Sequence, residues 1–377
     1  MIRIGCSLGF WGDSNSGAFQ LVEHGNIDYL VGDYLAEVTM GLLARMKSQG
    51  GARGGMGEGG FVSEFVYSVW KPLMKKIVEK NIKVVVNAGG MNPRACKAAI
   101  EKISKEAGLN VRVGCVVGDD LMEKREELKS NGKLQQFAVE GSQEPLLPDD
   151  KLCLSFNAYL GALPIAKALK NGAQVIVTGR CADSALILGP LIHEFGWSAS
   201  DYDLLATGSL GGHILECGCQ CTGGNFTDWR ESCNSGNGGW ENSGFPIVEF
   251  YKDGKMVVTK PENTGGIVTW GTVAEQIVYE IHNPGEYILP DVILDFRNVT
   301  LEENFGGPNR VLVLGAKGRA PTAFYKISST YFDGYWIAAE LVITGFEAKQ
   351  KVYHKTCLRI INRVIGCSSW FSNLGKK

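Results

Sequence analysis

A chain of 377 residues with 45% apolar and 21% charged side chains can bury one large or two ordinary hydrophobic cores. Its 38 basic and 40 acidic side chains leave a formal charge of -2, and no Lys/Arg cluster is interleaved with aromatics, so nothing provides a general basic field for nucleic acid. No uncharged apolar run approaches the roughly 18 residues of a membrane span, and 11 cysteines scattered over apolar segments read as reduced thiols of a cytoplasmic protein, with an organelle left open.

The N-terminal "MIRIGCSLGF" alternates apolar and small residues from its second position, so it reads as a first strand and not as a leader. From there to about residue 196, short β-branched runs alternate with helical patterns, which predicts βαβ units and a parallel sheet. The predicted strands are "IRIGCSL", "DYLVGDYL", "IKVVVNA", "VRVGCVV" and "AQVIVTG". Helical stretches lie at 62 to 80 and 92 to 107, where Asn92 can cap and Pro93 can take the first helical position. The Gly-rich stretch 50 to 60 contains a formal G-x-G-x-x-G at Gly55, Gly57 and Gly60, but it follows a helix pattern and reads as a linker. Beyond 196 a Gly-, Asn-, Ser- and Trp-rich stretch runs from 205 to 245, and "FPIVEFYKDGKMVVTKP" reads as a hairpin turning at Asp253-Gly254. "VILDFRNVTL" and "FYKISSTYFDGYWIAAELVITG" read as antiparallel strands. The fold class expected is α/β: a doubly wound, mostly parallel sheet (1 to 196) followed by a Gly-rich region with more antiparallel strands (197 to 345). Residues 346 to 377 are expected to form a C-terminal helix and tail.

Ligands of open parallel α/β sheets sit beyond the carboxyl ends of the strands, where loops and helix N-termini converge. The residues following the five predicted strands are "GFWGDS", "GDYLAEVT", "NAGGMNPRA", "GDD" and "TGRCADSA". Side by side they would bring Asp13, Asp33, Glu37, Asn87, Asn92, Asp119, Asp120, Arg180 and Asp183 to one rim. Asp33, Glu37, Asp120 and Asp183 are then candidates for acid or base work, and Asp119 with Asp120 for a divalent cation such as Mg²⁺. Gly12, Asp13, Asn87, Gly89, Gly90, Asn92 and Arg180 are candidates for contact with an anionic small-molecule substrate. Each Asp or Asn, taken singly, has the ordinary alternative of capping the next helix.

The stretch "GGHILECGCQCTGGN", 211 to 225, places three cysteines at alternate positions. Read as extended, 213 to 221 would put Cys217, Cys219 and Cys221 on one face at about 6.6 to 6.8 Å spacing, which suits neither a tetrahedral zinc site nor a disulfide. The Thr-Gly-Gly runs at 222 to 224 and 264 to 266 offer backbone N–H groups to an anion, and a helix pattern, "TVAEQIVYEI", follows the second. Gly223, Gly224, Asn225, Gly265 and Gly266 therefore join the substrate-binding candidates.

"GFWGD" (9 to 13), "DYLVGDYLAEVTM" (28 to 40), "NAGGMNP" (87 to 93), "TGRCADSA" (178 to 185), "GHILECGCQCTGGNF" (212 to 226) and "VAEQIVYEI" (273 to 281) together resemble the acyclic terpene utilisation (AtuA-like) family over residues 1 to 345. In that pattern Cys219 and Cys221 fall at variable positions. His213, Glu216, Cys217 and Gln220 fall at fixed ones and are implied as functional, the first three as catalytic and Gln220 as substrate-binding. The resemblance implies catabolism of acyclic terpenoids through acyl-CoA intermediates, with CoA as substrate carrier, and a further C-terminal domain that a partner subunit or homo-oligomer would supply. The function expected is lyase, hydratase or isomerase chemistry by proton transfer on a branched-chain acyl-CoA or carboxylate. The alternative is a non-catalytic subunit that binds an acyl-CoA or a partner enzyme. No P-loop Gly-Lys-Ser/Thr and no G-x-S-x-G elbow occurs.

Overall fold

The computed structural model describes residues 1 to 52, 59 to 134, 152 to 332 and 334. In chain order the first half runs β1 (Ile2–Cys6), α1 (Ser16–His24), β2 (Tyr29–Gly32), α2 (Glu37–Ala52), α3 (Lys71–Glu79), β3 (Lys83–Val86), α4 (Pro93–Glu106), β4 (Val113–Val116), α5 (Arg125–Ser130), β5 (Cys153–Ala158), α6 (Leu163–Lys170), β6 (Val175–Thr178) and α7 (Ala185–Phe195). Then follow α8 (Tyr202–Leu215), α9 (Trp229–Cys233), β7 (Ile247–Phe250), β8 (Met256–Thr259), α10 (Trp270–Ile277), β9 (Tyr287–Ile288), β10 (Ile293–Asp295), β11 (Thr300–Glu303), β12 (Val311–Leu314), β13 (Lys317–Arg319) and β14 (Ile327–Tyr331).

The central sheet has nine strands in the order β11-β12-β8-β7-β1-β2-β3-β6-β4. Its β1-β2-β3-β6-β4 portion is parallel, and β7, β8, β12 and β11 extend it antiparallel from β1. The later half of the chain therefore enlarges the sheet begun by the first. All five expected parallel strands form, and so does the hairpin β7-β8.

The short β-branched runs "KVVV" and "VIVT" are buried on both faces, as central strands of a covered sheet must be. Alternate side chains feed two separate cores: Leu30, Val84, Val86, Val175 and Val177 pack beneath α1, α3 and α4, whereas Tyr29, Val31, Val85 and Ile176 pack beneath α6, α7 and α8. Helices thus cover both faces of the parallel portion. The crossovers through α1, α3 and α4 lie on one face and that through α6 on the other, so the winding reverses at β4, after which β6 returns to lie between β3 and β4. That reversal gathers the loops after the strands at one edge.

The structure departs from the expected elements in three places. Residues 213 to 221 are not extended: α8 runs to Leu215 and a 3-10 turn covers Gly218–Thr222, so the three cysteines are distributed around a turn. "VILDFRNVTL" splits into β10, in a three-stranded sheet with β13 and β9, and β11, at the edge of the large sheet. β5 was not expected; it pairs with β14, the one strand of "FYKISSTYFDGYWIAAELVITG" that lies among the described residues. The Gly-rich 53 to 58 and the helix expected after 345 lie outside the described residues. The described chain up to Phe332 forms one compact unit, Met1–Phe332.

Candidate active site

Asp33 leaves the end of β2 with only 5% exposure, and its Oδ1 accepts from Asn87 Nδ2, at the end of β3, at 2.6 Å. The Asn87 carbonyl oxygen in turn accepts from the Tyr34 backbone N–H at 2.7 Å, so the amide is oriented and the carboxyl aimed. Burial, then the neighbouring Asp183, pushes the Asp33 carboxyl well above the usual carboxylate range, while Arg180 opposes the shift.

Arg180 follows β6 and is 3% exposed. Its Nη1 donates to Asp183 Oδ1 at 2.6 Å and to the Leu35 carbonyl at 2.9 Å, and its guanidinium stacks on the Tyr159 ring at 4.3 Å. Nη2 lies 3.9 Å from Glu37 Oε1, which also accepts the Tyr159 hydroxyl. The arginine expected to reach over the rim is instead folded into it, because Leu35, Asp183 and Tyr159 already occupy its fork and face. Its Nε is buried without a hydrogen-bond partner.

His213 and Glu216 lie on the last turn of α8, three residues apart and so on the same side. His213 is 1% exposed, with Nδ1 3.0 Å from Glu216 Oε1 and Nε2 3.2 Å from the Ile277 carbonyl. A carbonyl only accepts, so Nε2 carries a hydrogen. A neutral ring would then turn a bare Nδ1 toward the carboxylate, and two acceptors cannot bond. One proton is therefore held between Nδ1 and Oε1, on either the ring or the carboxyl. Burial disfavours the charged ring, but the Glu216 charge outweighs it and raises the His213 pKa; burial likewise raises Glu216, against the pull of His213. The two titrate as a unit. Tyr287 and Phe296 pack their rings 5.7 and 5.8 Å from the imidazole.

Cys217 follows directly. Burial, then Glu216, pushes its thiol up, so the ionised form that a nucleophile needs is suppressed. The β1 loop reaches this point because Gly9 has no side chain: a Cβ there would lie 2.8 Å from the Cys217 backbone. Across this junction Asp183 and Glu216 both raise the Asp33 carboxyl, and Asp183 also raises Glu216.

Other candidate residues go elsewhere. Asp119 is spent on the Arg180 backbone N–H (2.8 Å) and Asn157 Nδ2 (2.9 Å), whereas Asp120 takes the Met122 N–H and lies 3.7 Å from Lys47 Nζ. The two carboxylates thus serve different partners, and no group of three or more His, Cys, Asp or Glu able to hold a metal ion forms among the described residues. Asn92 caps α4, accepting from the Ala95 N–H at 3.3 Å. Gly89 and Gly90 shape the turn before it, with Gly90 N–H on the Asn87 carbonyl and Asn92 N–H on that of Gly89. Asp13 closes the loop containing Gly12 by accepting from the Gly9 and Ser14 N–H groups.

Three of the four N–H groups of the two Gly-Gly runs are already bonded within the chain. The N–H groups of Gly223, Gly224 and Gly265 are taken by the carbonyls of Gln220, Cys219 and Asn242, and the N-terminus of α10 is closed by a Thr269/Thr272 capping box and by Glu303. Gly265 and Gly266 lie beside the Gly239 and Thr222 backbones, and Asn225 is exposed in the turn after Gly224. Gln220 is at the site's edge with its Oε1 buried and unpartnered. Tyr159, Asn157, Gln276 and Tyr287 were not anticipated. Gln276 Nε2 donates to the His213 carbonyl at 3.1 Å, and "SFNAYL" was the sequence signal available for the first two.

The chain matches the family described as acyclic terpene utilisation family protein AtuA over residues 2–370. It belongs to that family. The AtuA match continues past residue 345, where the resemblance was expected to end, and AtuA membership implies a role in acyclic terpene utilisation. No curated protein and no solved structure matches the chain. All six AtuA-like motifs converge here: Gly9, Asp33, Asn87, Arg180 with Asp183, His213 with Glu216 and Cys217, and Gln276 with Ile277 each come from a different one.

Proposed function

We propose that this cluster is the active site of an enzyme that moves a proton on a branched-chain acyl-CoA or carboxylate derived from an acyclic terpenoid, in a lyase, hydratase or isomerase step. The observation that carries the reading is the proton held between His213 Nδ1 and Glu216 Oε1, beside the Asp33 carboxyl, whose hold on its own proton burial strengthens. A neutral carboxyl is a general acid, and a His/Glu pair able to take or give one proton without exposing a charge is its reservoir. Asn87 orients Asp33, and Asp183, 32% exposed and paired with Arg180, faces outward from the same cluster. Covalent catalysis by Cys217 is not part of the reading, since its thiol is held protonated.

A second reading, a non-catalytic subunit that binds an acyl-CoA or a partner enzyme, is favoured by the internal engagement of Arg180, which leaves its fork to the protein. The full chain incubated in D₂O with a panel of branched acyl-CoAs and free acids separates the two. Mass spectrometry reads product and deuterium, and thermal shift reads binding. Product or deuterium incorporation with wild type, falling about 100-fold or more in Asp33→Asn and unchanged in Asp120→Asn, is the expected result. Binding without turnover or exchange leaves only the second reading.

A further inference from the structure

A cleft of about 750 Å³ opens on the α1 side of the sheet, lined by Arg3 of β1, the end of β8 and the loop leading into β12, and it shares no lining residue with the site around Asp33 and His213. Its charged lining is Arg3, Lys260, Arg310, His24 and Glu262. Glu249, 4% exposed beneath it, is bonded by both arginines: Arg3 Nη1 donates to Oε1, and Arg310 Nη1 and Nη2 donate to Oε1 and Oε2 at 3.1 and 2.6 Å. The remaining bonds of Arg3 go to the Asn26 and Gly25 carbonyls and that of Arg310 to the Phe305 carbonyl. Lys260 is 9% exposed, yet among the described residues its ammonium donates only to the Thr264 carbonyl (2.6 Å) and hydroxyl (3.2 Å), both uncharged.

A buried ammonium with no carboxylate partner is costly, and that burial lowers its pKa. The cost is relieved when an anion enters beside it. A guanidinium has five N–H donors and an ammonium three, so after the bonds above each arginine keeps two and the lysine one. Three cations around one wall, with several donors unspent, match the tetrahedral array of phosphate oxygens better than the two oxygens of a carboxylate. The volume lies within the roughly 300–1,000 Å³ of small-molecule pockets. We propose that the cleft is a binding site for a phosphate-bearing small molecule, anchored by Lys260, Arg3 and Arg310. Glu262, exposed at the mouth, opposes entry of the anion and sets a ceiling on its affinity.

Calorimetric titration of the full chain with inorganic phosphate, adenosine monophosphate and acetate tests this. Saturable binding of phosphate or the nucleotide, with acetate at least about tenfold weaker, is expected, a difference of about 1.4 kcal/mol. Preference between the first two distinguishes a free anion from a phosphate monoester. Lys260→Met, which keeps the apolar stem, should weaken binding about tenfold while the melting temperature holds or rises. Should that variant fail to fold, Glu262→Gln at the exposed mouth supplies the independent reading and should tighten binding by about twofold to fivefold. No saturable binding by wild type, or binding that neither variant alters, overturns the proposal.

Discussion

Arg180 shows how an environment decides the role of a side chain. Lysine keeps the charge but has one nitrogen and no planar face, so Arg180→Lys cannot serve Leu35, Asp183 and the Tyr159 ring together. The variant is expected to lose about 1–3 kcal/mol of stability, visible as a lower melting temperature, with any ligand affinity tracking the folded fraction. Unchanged melting with a lost affinity would place the guanidinium on the ligand instead. Asp33, Asn87, Asp183, His213 and Glu216 were legible as candidates because each follows an apolar run or lies in one of the quoted AtuA-like motifs, and the fold brings them together. Tyr159 and Gln276 were not singled out although "SFNAYL" and "VAEQIVYEI" contain them, because neither stretch says which neighbour the residue meets; only the fold brings Tyr159 under Arg180 and Gln276 to the His213 carbonyl.

Elements were read well where hydrophobic period and turn chemistry agreed. The β-branched runs of β2, β3 and β6, the Asn92-Pro93 start of α4 and the Asp253-Gly254 hairpin each combine the two signals. The segment 211 to 225 was misread because alternating glycine and cysteine mimics a strand, while small residues equally suit a helix end packed closely on its neighbours. Gly212 and Gly224 let backbones approach closely, as do Gly265 and Gly266, while Gly211 and Gly223 make room for the Phe250 ring and the Ser232 side chain. A Cβ at Gly265 would fall 1.8 Å from the Gly239 carbonyl oxygen, so the Ser243 to Gly265 bridge could not form with alanine there. Gly265→Ala should therefore cost more than about 4 kcal/mol or abolish folding, whereas Gly108→Ala, with open space around it but a left-handed backbone, should cost about 1 kcal/mol. Denaturant titrations of the two variants check this, and a mild effect at Gly265 would show that the loop can move aside.

At the scale of the molecule, one sheet carries both the parallel and the antiparallel halves, a continuity that composition alone could not reveal because the texture of the sequence changes near residue 196. Among the described residues no helix is long and apolar enough to cross a membrane. The reversal of winding at β4, which returns β6 beside β3, brings the ends of β2, β3 and β6 against the end of α8, and this is what converts an acidic rim into a cluster with a proton to share. His213 has a folded pKa above its ordinary 6.5, so the stability its protonation contributes is fully present below 6.5 and is lost as pH rises through the folded value. The shared proton is tested most directly by a pH titration of the chain carrying ¹⁵N-labelled histidine, followed by nuclear magnetic resonance and assigned with a Glu216→Gln variant. The expected spectrum shows one imidazole with a protonated Nε2 and an Nδ1 that stays in a proton-sharing bond to above pH 6.5, with that signature abolished in Glu216→Gln. A His213 that titrates at or below 6.5 with a free Nδ1, in wild type and variant alike, would contradict it.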